Sequence, residues 1–238
     1  MSERKILVIV EGAKTDFNLM KRIFKIYGIS DDHQVISYDT NIYTLYNQLP
    51  DDEEEYEDID LQQLLKEREK DEKKLSLLNE RYTDILLIFD LDPQAPDFSP
   101  DKIRKMANYF TESTNMGKLY LNYPMVEAFY NMKNIPDNDY PNYVVSLELL
   151  RNRKYKQLVH ELCRNGDYSK FAVNKAECNI VIKQNLEKAK MLTQKDENIP
   201  DGIDILDKQL SLLKNDNAVS VLCTCIFYIA EYNPGMID

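Results

Sequence analysis

Three carboxylates follow two short apolar runs, and their positions indicate a site for a divalent cation. The first run, residues 5–10, leads directly into Glu11, and the second, residues 84–89, leads into Asp90 and Asp92. Such runs are typical of strands that are buried on both faces. Ligand sites of open α/β sheets lie at the carboxyl ends of strands. If the two strands are neighbours, the three carboxylates meet at one edge, where their mutual repulsion favours a hard cation such as Mg²⁺.

The spacing within each motif fits this chemistry. Asp90 and Asp92 are two residues apart, so in an extended segment both side chains point the same way and can reach one ion or two neighbouring ions. Gly12 lets the backbone turn at once and leaves the approach to Glu11 open. The alternatives are simple: Asp92 is a solvated acid in a turn before Pro93, and Glu11 is a polar residue at an exposed strand end.

The order of these motifs resembles the TOPRIM fold, which topoisomerases, primases and several nucleases share. The resemblance rests on residues 6–16 (ILVIVEGAKTD) and residues 85–92 (ILLIFDLD). Residues 119–130 (LYLNYPMVEAFY) also resemble the Asn-Pro-x-x-Glu segment of RloB-like TOPRIM proteins from bacterial defence loci, although here a tyrosine separates Asn122 from the proline. In all, the resemblance extends over residues 4–130 and includes the overcoming-lysogenization-defect (OLD-type) nucleases.

The resemblance implies a Mg²⁺- or Mn²⁺-dependent nuclease that cleaves DNA or RNA in anti-phage defence beside an ATPase partner. It implies that Glu11 binds the metal or acts as a general acid or base, that Asp90 and Asp92 are metal ligands, and that Asn122 and Glu127 frame the site. For Glu127 the alternative is a glutamate that interacts favourably with the dipole at the start of a helix, which we predict over residues 124–132.

Other chemistries find less support in the sequence. The segment from Gly12 to Thr15 lacks the earlier glycine of a phosphate-binding loop, which argues against nucleotide hydrolysis, but Lys14 beside the carboxylates is a candidate for a substrate phosphate. Cys223-Thr224-Cys225 lies in an apolar run and is interpreted as core rather than a zinc site. The basic residues Arg151, Arg153, Lys154 and Lys156 form either a local positive patch for nucleic acid or the solvated start of a helix, and the second interpretation is preferred.

Length and composition favour a helix-rich α/β chain. It has 238 residues, of which 43% are hydrophobic and only 6 are glycine. We expect a TOPRIM-like (Rossmann-like), mostly parallel sheet with helices on both faces in residues 1–135, interrupted by a charged helical insertion at about 50–82. Residues 136–238 are expected to form a mainly helical extension packed on this core. The absence of a signal peptide or membrane-length apolar run predicts a cytoplasmic protein that is not bound to membranes.

The charge distribution bears on partners. Eight of the acidic residues lie in residues 51–60, which leaves only −3 of the net −11 for the rest of the chain. Such a body does not bind nucleic acid tightly through its overall field, but a nuclease can supply positive charge locally through bound cations. We expect the acidic run to be exposed.

The charged helix predicted over residues 61–81 carries an apolar stripe of five leucines. The stripe either covers its own domain or contacts a second copy or the ATPase. The stripe consists of Leu61, Leu64, Leu65, Leu75 and Leu78.

Two further function classes stay open. One is a non-catalytic binding or regulatory subunit built on a TOPRIM-like sheet, which the low basicity and the altered Asn-Pro motif favour. The other is a phosphotransferase related to haloacid dehalogenases, which place Asp-x-Asp after the first strand, where this chain has Glu11.

Overall fold

The computed structural model describes residues 4–50, 56, 59–114, 116–163 and 166–237, which form two compact units. The first unit comprises residues 1–89 and 101–120, and the second comprises residues 90–100 and 121–238. The strands are β1 (Ile6–Val10), β2 (His33–Ser37), β3 (Asp84–Asp90), β4 (Thr111–Glu112), β5 (Gly117–Asn122), β6 (Val144–Ser146) and β7 (Ala218–Ser220). The helices are α1 (Thr15–Tyr27), α2 (Ile42–Tyr46), α3 (Leu61–Arg68), α4 (Glu72–Leu78), α5 (Pro100–Tyr109), α6 (Leu147–Arg151), α7 (Tyr155–Leu162), α8 (Lys175–Thr193), α9 (Gly202–Asp216) and α10 (Phe227–Tyr232).

The first unit is built on a five-stranded sheet in the order β2-β1-β3-β5-β4. Strand β1 runs parallel to both β2 and β3, with Val8 opposite Val35 on one side and Leu86 on the other, while β4 pairs antiparallel with β5. All residues of β1 and β3 are buried, as the continuous apolar runs predict for central parallel strands. The predicted α/β class, with a mostly parallel sheet in which the two acid-terminated strands are adjacent, is confirmed.

Helix α1 connects β1 to β2 and shows how local sequence sets the elements of this unit. Its buried face includes Leu19, Met20, Ile23 and Phe24, at the three- and four-residue spacing of an amphipathic helix. The helix ends at Gly28, whose φ of 70° is left-handed and costs glycine no steric strain.

The predicted continuous helix over residues 61–81 is wrong, because the segment forms two helices, α3 and α4. The chain is extended at Glu69 and Asp71, and the Asp71 carboxylate accepts hydrogen bonds from the backbone N–H groups of Lys73 and Lys74. An aspartate that binds the backbone in this way starts a new helix in preference to continuing the old one. The gap between Leu65 and Leu75 in the leucine stripe is the sequence counterpart of this break.

The two insertion helices pack within the first unit. Leu61, Leu65 and Leu78 are each less than 5% exposed, and the other two leucines of the stripe are half-buried. The Lys74 ammonium donates to the Ser37 carbonyl at 2.7 Å, just at the end of β2. The stripe therefore covers its own unit. Most of the acidic run, residues 51–55 and 57–58, lies outside the described residues, so its exposure stays a prediction.

Replacing Leu65 by alanine tests this packing. We expect the free energy of unfolding to fall by about 2–4 kcal/mol, the usual cost of deleting a buried leucine side chain beyond its Cβ atom. Urea denaturation followed by circular dichroism measures the change. Leu64→Ala is the matched control, because Leu64 is only half-buried and its loss should be clearly smaller. Equal losses for the two variants would contradict the packing described here.

In the second unit, buried polar side chains bind backbone groups of neighbouring segments. The Gln209 amide, fully buried on α9, donates to the Ser220 carbonyl and accepts from the Ser220 N–H, both at 2.8 Å, which fixes β7 to the helix. On α8, the buried Lys188 ammonium donates to the carbonyl oxygens of Tyr140 and Tyr143 at 2.9 and 2.7 Å. Burial lowers the pKa of Lys188 to about 7.

The sequence did not predict the small antiparallel sheet of β6 and β7, in which Val145 lies opposite Val219. Residues 121–135, which the sequence assigned to the first domain, group with the second unit.

Within the described ranges, no helix has both the length and the apolar character needed to cross a membrane.

Candidate functional site

Asp90 is the last residue of β3 and the starting point of the site in the second unit. Its side chain is 6% exposed, and the Asn122 amide donates to Asp90 Oδ1 at 3.4 Å. The backbone holds the same geometry, because the Leu91 N–H donates to the Asn122 carbonyl and the Asp92 N–H to the Pro124 carbonyl. The Asp-x-Asp segment is therefore hydrogen-bonded to residues 122–124, which carry the altered Asn-Pro motif.

Asn122 is fixed in turn by residues close to the C-terminal helix α10. Its side chain is fully buried, and its Oδ1 accepts from the Cys225 N–H at 3.3 Å. The Thr224 hydroxyl donates to the Leu121 carbonyl at 2.6 Å. The interpretation of the segment around Cys223 and Cys225 as core is confirmed, since both thiols are buried, and the segment also positions a site residue.

The tyrosine inserted into the motif has a structural use. The Tyr123 backbone pairs with Leu222 in both directions at 2.8 Å, and its ring is 1% exposed. The peptide bond between Tyr123 and Pro124 is cis. The insertion thus ties the motif to the segment that supports Asn122.

The predicted helix over residues 124–132 is wrong, because only a 3₁₀ turn from Val126 to Tyr130 forms there. Met125 is extended, so the turn begins after it, and the Ala128 N–H bonds back to the Met125 carbonyl over three residues. The chain leaves the turn at Asn131, whose side chain donates to the Tyr155 hydroxyl at 3.2 Å. All five residues of the turn are buried, so tertiary packing determines their conformation.

Glu127 lies in this turn and is only 3% exposed. Its Oε1 lies 3.0 Å from the Nζ of Lys156, near the start of α7. Its Oε2 is buried and has no hydrogen-bond partner among the described residues. Lys156 is mostly exposed, as the sequence suggested for its basic cluster, but the sequence did not predict its pairing with a buried carboxylate, which makes it a functional candidate.

The carboxylates of the site act on one another through space. Burial raises the pKa of the Asp92 carboxyl above its ordinary value, and the negative charges of Glu127 and Asp97 act in the same direction. A hydrogen bond of 2.8 Å from Gln94 and the positive charge of Lys156 oppose this rise. Asp92 thus retains a proton more readily than an aspartate in water.

Lys156 is the cation that these carboxylates share. Burial opposes its charged form, but the attraction and hydrogen bond of Glu127, together with the charges of Asp90 and Asp92, raise its pKa above the ordinary lysine value. The Lys156 ammonium is thus paired with Glu127 and is also acted on by the charges of Asp90 and Asp92.

The remaining predicted site residues, Glu11 and Lys14, belong to the first unit. Glu11 is half-buried, its N–H donates to the Ile88 carbonyl at 3.0 Å, and its carbonyl accepts from Asp39. Lys14 is exposed just before α1. The participation of Glu11 and Lys14 in a site with the carboxylates of the second unit stays a prediction.

Gly12 makes room for a carboxylate that the sequence reasoning did not single out. A Cβ atom at this position would lie 2.7 Å from Oδ2 of Asp16, a side chain that is 6% exposed. The turn after β1 thus brings a buried aspartate close to the backbone of the Glu-Gly motif. The Glu-x₄-Asp spacing from Glu11 to Asp16 was the available signal.

The residues of the second unit fit a hard divalent cation by their chemistry. Carboxylate and amide oxygens are the ligands that Mg²⁺ and Mn²⁺ take, and the buried Glu127 Oε2 offers an oxygen without a hydrogen bond. As they stand, no three His, Cys, Asp or Glu side chains in the described part of the chain are grouped closely enough to hold a metal. The cation that occupies this charge cluster is the Lys156 ammonium.

Comparisons of the chain with protein-family models, with curated proteins and with solved structures gave no significant match. The resemblance to TOPRIM proteins therefore rests on the sequence motifs alone and stays a prediction.

Replacing Asp92 by asparagine tests the electrostatics of the site. We expect the metal-free variant to melt a few degrees higher at pH 7, since asparagine removes a charge that burial disfavours. Asparagine also tolerates the positive φ of 43° and keeps an acceptor for Gln94.

The stability difference between Asp92→Asn and the wild type should depend on pH. Because the folded pKa of Asp92 is raised, the wild type loses stability as the pH rises from the ordinary aspartate range through that folded pKa. The gain of the variant should therefore shrink towards pH 4. Calorimetry at several pH values measures it, with the exposed Asp216→Asn as control. A variant that melts lower than the wild type at pH 7 would refute this electrostatic assignment.

Proposed function

We propose that this protein is a Mg²⁺- or Mn²⁺-dependent nuclease with a TOPRIM-like domain, hydrolysing phosphodiester bonds of DNA or RNA. One observation carries the proposal: beyond the carboxyl end of β3 the charges of Asp90, Asp92 and Glu127 all act on the Lys156 ammonium, whose Nζ lies 3.0 Å from Glu127 Oε1. The parallel arrangement of β1 and β3, each followed by its acidic motif, supports the TOPRIM-like assignment.

Each residue has a role that follows from its placement. Asp90, fixed by the buried Asn122, is the most rigidly held ligand, while Asp92 provides a second oxygen from the following turn. Glu127 has one free carboxylate oxygen, suited to bind the cation or to accept a proton from water. The bound metal would polarise the phosphate and lower the pKa of a coordinated water. Glu11 and Lys14 are proposed as a further acid and a phosphate contact.

The acidic character of the chain agrees with this role only if positive charge is supplied locally. A net charge of −11 repels a polyanion at long range, so substrate binding would depend on the metal, on local lysines or on a partner. An ATPase partner in a phage-defence complex is proposed from the resemblance alone, and a second copy of the chain is kept as an alternative partner.

Cleavage assays test the function directly. We expect the wild type to cleave single- or double-stranded DNA or RNA in Mn²⁺ or Mg²⁺, and to stop when EDTA removes the metal. Asp90→Asn should lower the rate by at least about 100-fold while the circular dichroism spectrum is kept, because it removes a charged metal ligand. Gel analysis of labelled oligonucleotides measures the rate.

Asp216→Asn is the matched control, since it makes the same change at an exposed position on α9 of the same unit. Cleavage by Asp90→Asn at the wild-type rate would place the active site elsewhere. If the wild type cleaves none of these substrates, even with its partner and nucleotide present, the non-catalytic binding subunit becomes the better account.

A further inference from the structure

The ion pair between Lys156 and Glu127 is strongly asymmetric in its exposure. The lysine side chain is 65% exposed, whereas that of Glu127 is 3% exposed. The lysine therefore reaches from the surface to a buried carboxylate. The lysine ammonium can move into solvent without any change in the surrounding core. The glutamate side chain is enclosed by the core and stays buried.

Without the ammonium, Glu127 would be a buried carboxylate with neither of its oxygens satisfied. Its Oε2 already lacks a hydrogen-bond partner among the described residues, and its Oε1 is the atom that faces Lys156. Removing one partner of a buried ion pair is costly, because the charge that remains has lost both water and its counter-ion. The negative charges of Asp90 and Asp92 act on the same ammonium and would raise this cost further.

A divalent cation placed among these carboxylates would also neutralise Glu127, and it would do so with twice the charge of the ammonium. The ammonium and the metal would then occupy neighbouring positions and repel each other. Since the stem of the lysine runs to solvent, it is the group that can leave.

We propose that Lys156 is an internal counter-cation, which neutralises the carboxylates of the metal-free protein and is displaced from Glu127 when the divalent cation binds. This inference rests on the proposed function and adds to it a step of metal loading. The released ammonium would stand at the rim of the site, where it meets an incoming phosphate group.

Metal affinity gives the first test. Isothermal titration of Mn²⁺ into the full-length protein should show binding to Lys156→Met at least about fivefold tighter than to the wild type, the effect of an ion pair partly open to water. Lys156→Arg keeps the charge and should bind Mn²⁺ as weakly as the wild type. Lys154→Met removes the same charge at an exposed position two residues earlier and should leave the affinity unchanged.

Lysine labelling gives the second test on the wild type. In the metal-free protein the ammonium is held by Glu127, so an acylating reagent should modify Lys156 more slowly than Lys154. Saturating Mn²⁺ should raise the labelling rate of Lys156 several-fold and leave Lys154 unchanged, as measured by mass spectrometry of peptides.

The outcomes separate this inference from the proposed function. If the wild type and Lys156→Met bind Mn²⁺ equally, or if labelling of Lys156 does not rise with bound Mn²⁺, the displacement is refuted and a metal-dependent activity stands. If neither protein binds Mn²⁺ at millimolar concentration, the metal-dependent function itself fails, and the displacement with it. Tighter Mn²⁺ binding by Lys156→Met, together with faster labelling of Lys156 in the Mn²⁺-bound wild type, supports the displacement.

Discussion

The need to balance buried negative charge governs this site. Glu127 and Asp90 are both buried, Asp92 adds a third carboxylate, and the ammonium of the mostly exposed Lys156 brings positive charge towards them. Buried carboxylates must be paired, protonated or bound to a cation. The raised pKa of Asp92 shows the protonation route and Lys156 the pairing route. Metal binding is the third route, and the proposed nuclease activity depends on it.

The rest of the second unit keeps these carboxylates where they are. Asn122 links Asp90 to the backbone of Cys225, and the neighbouring Thr224 hydroxyl is bonded to the chain just before Asn122. The segment near the C-terminal helix thus supports a site whose Asp90 and Asp92 lie more than a hundred positions earlier. The tyrosine inserted into the Asn-Pro motif fits the fold because the Tyr123 backbone forms two hydrogen bonds with the Leu222 backbone.

The parts of this structure that follow from local pattern were predictable. The buried strands β1 and β3 and their adjacency could be read from two apolar runs ending in acids, since few other arrangements bury both faces. The helix breaks between α3 and α4 because the Asp71 carboxylate binds the backbone N–H groups of Lys73 and Lys74. The mixed-charge pattern of this segment is equally typical of one continuous exposed helix, so it did not indicate the break. The 3₁₀ turn at Glu127 and the pairing with Lys156 depend on contacts distant in sequence, for which a single chain offers no periodic signal.

Anomalous diffraction from crystals soaked in Mn²⁺ tests the central claim most directly. The account predicts a manganese peak about 2–2.6 Å from carboxylate oxygens of Asp90 and Asp92, with the Lys156 ammonium no longer beside Glu127. A protein that takes up manganese only elsewhere, or none at all with the Lys156–Glu127 pair intact, would contradict it.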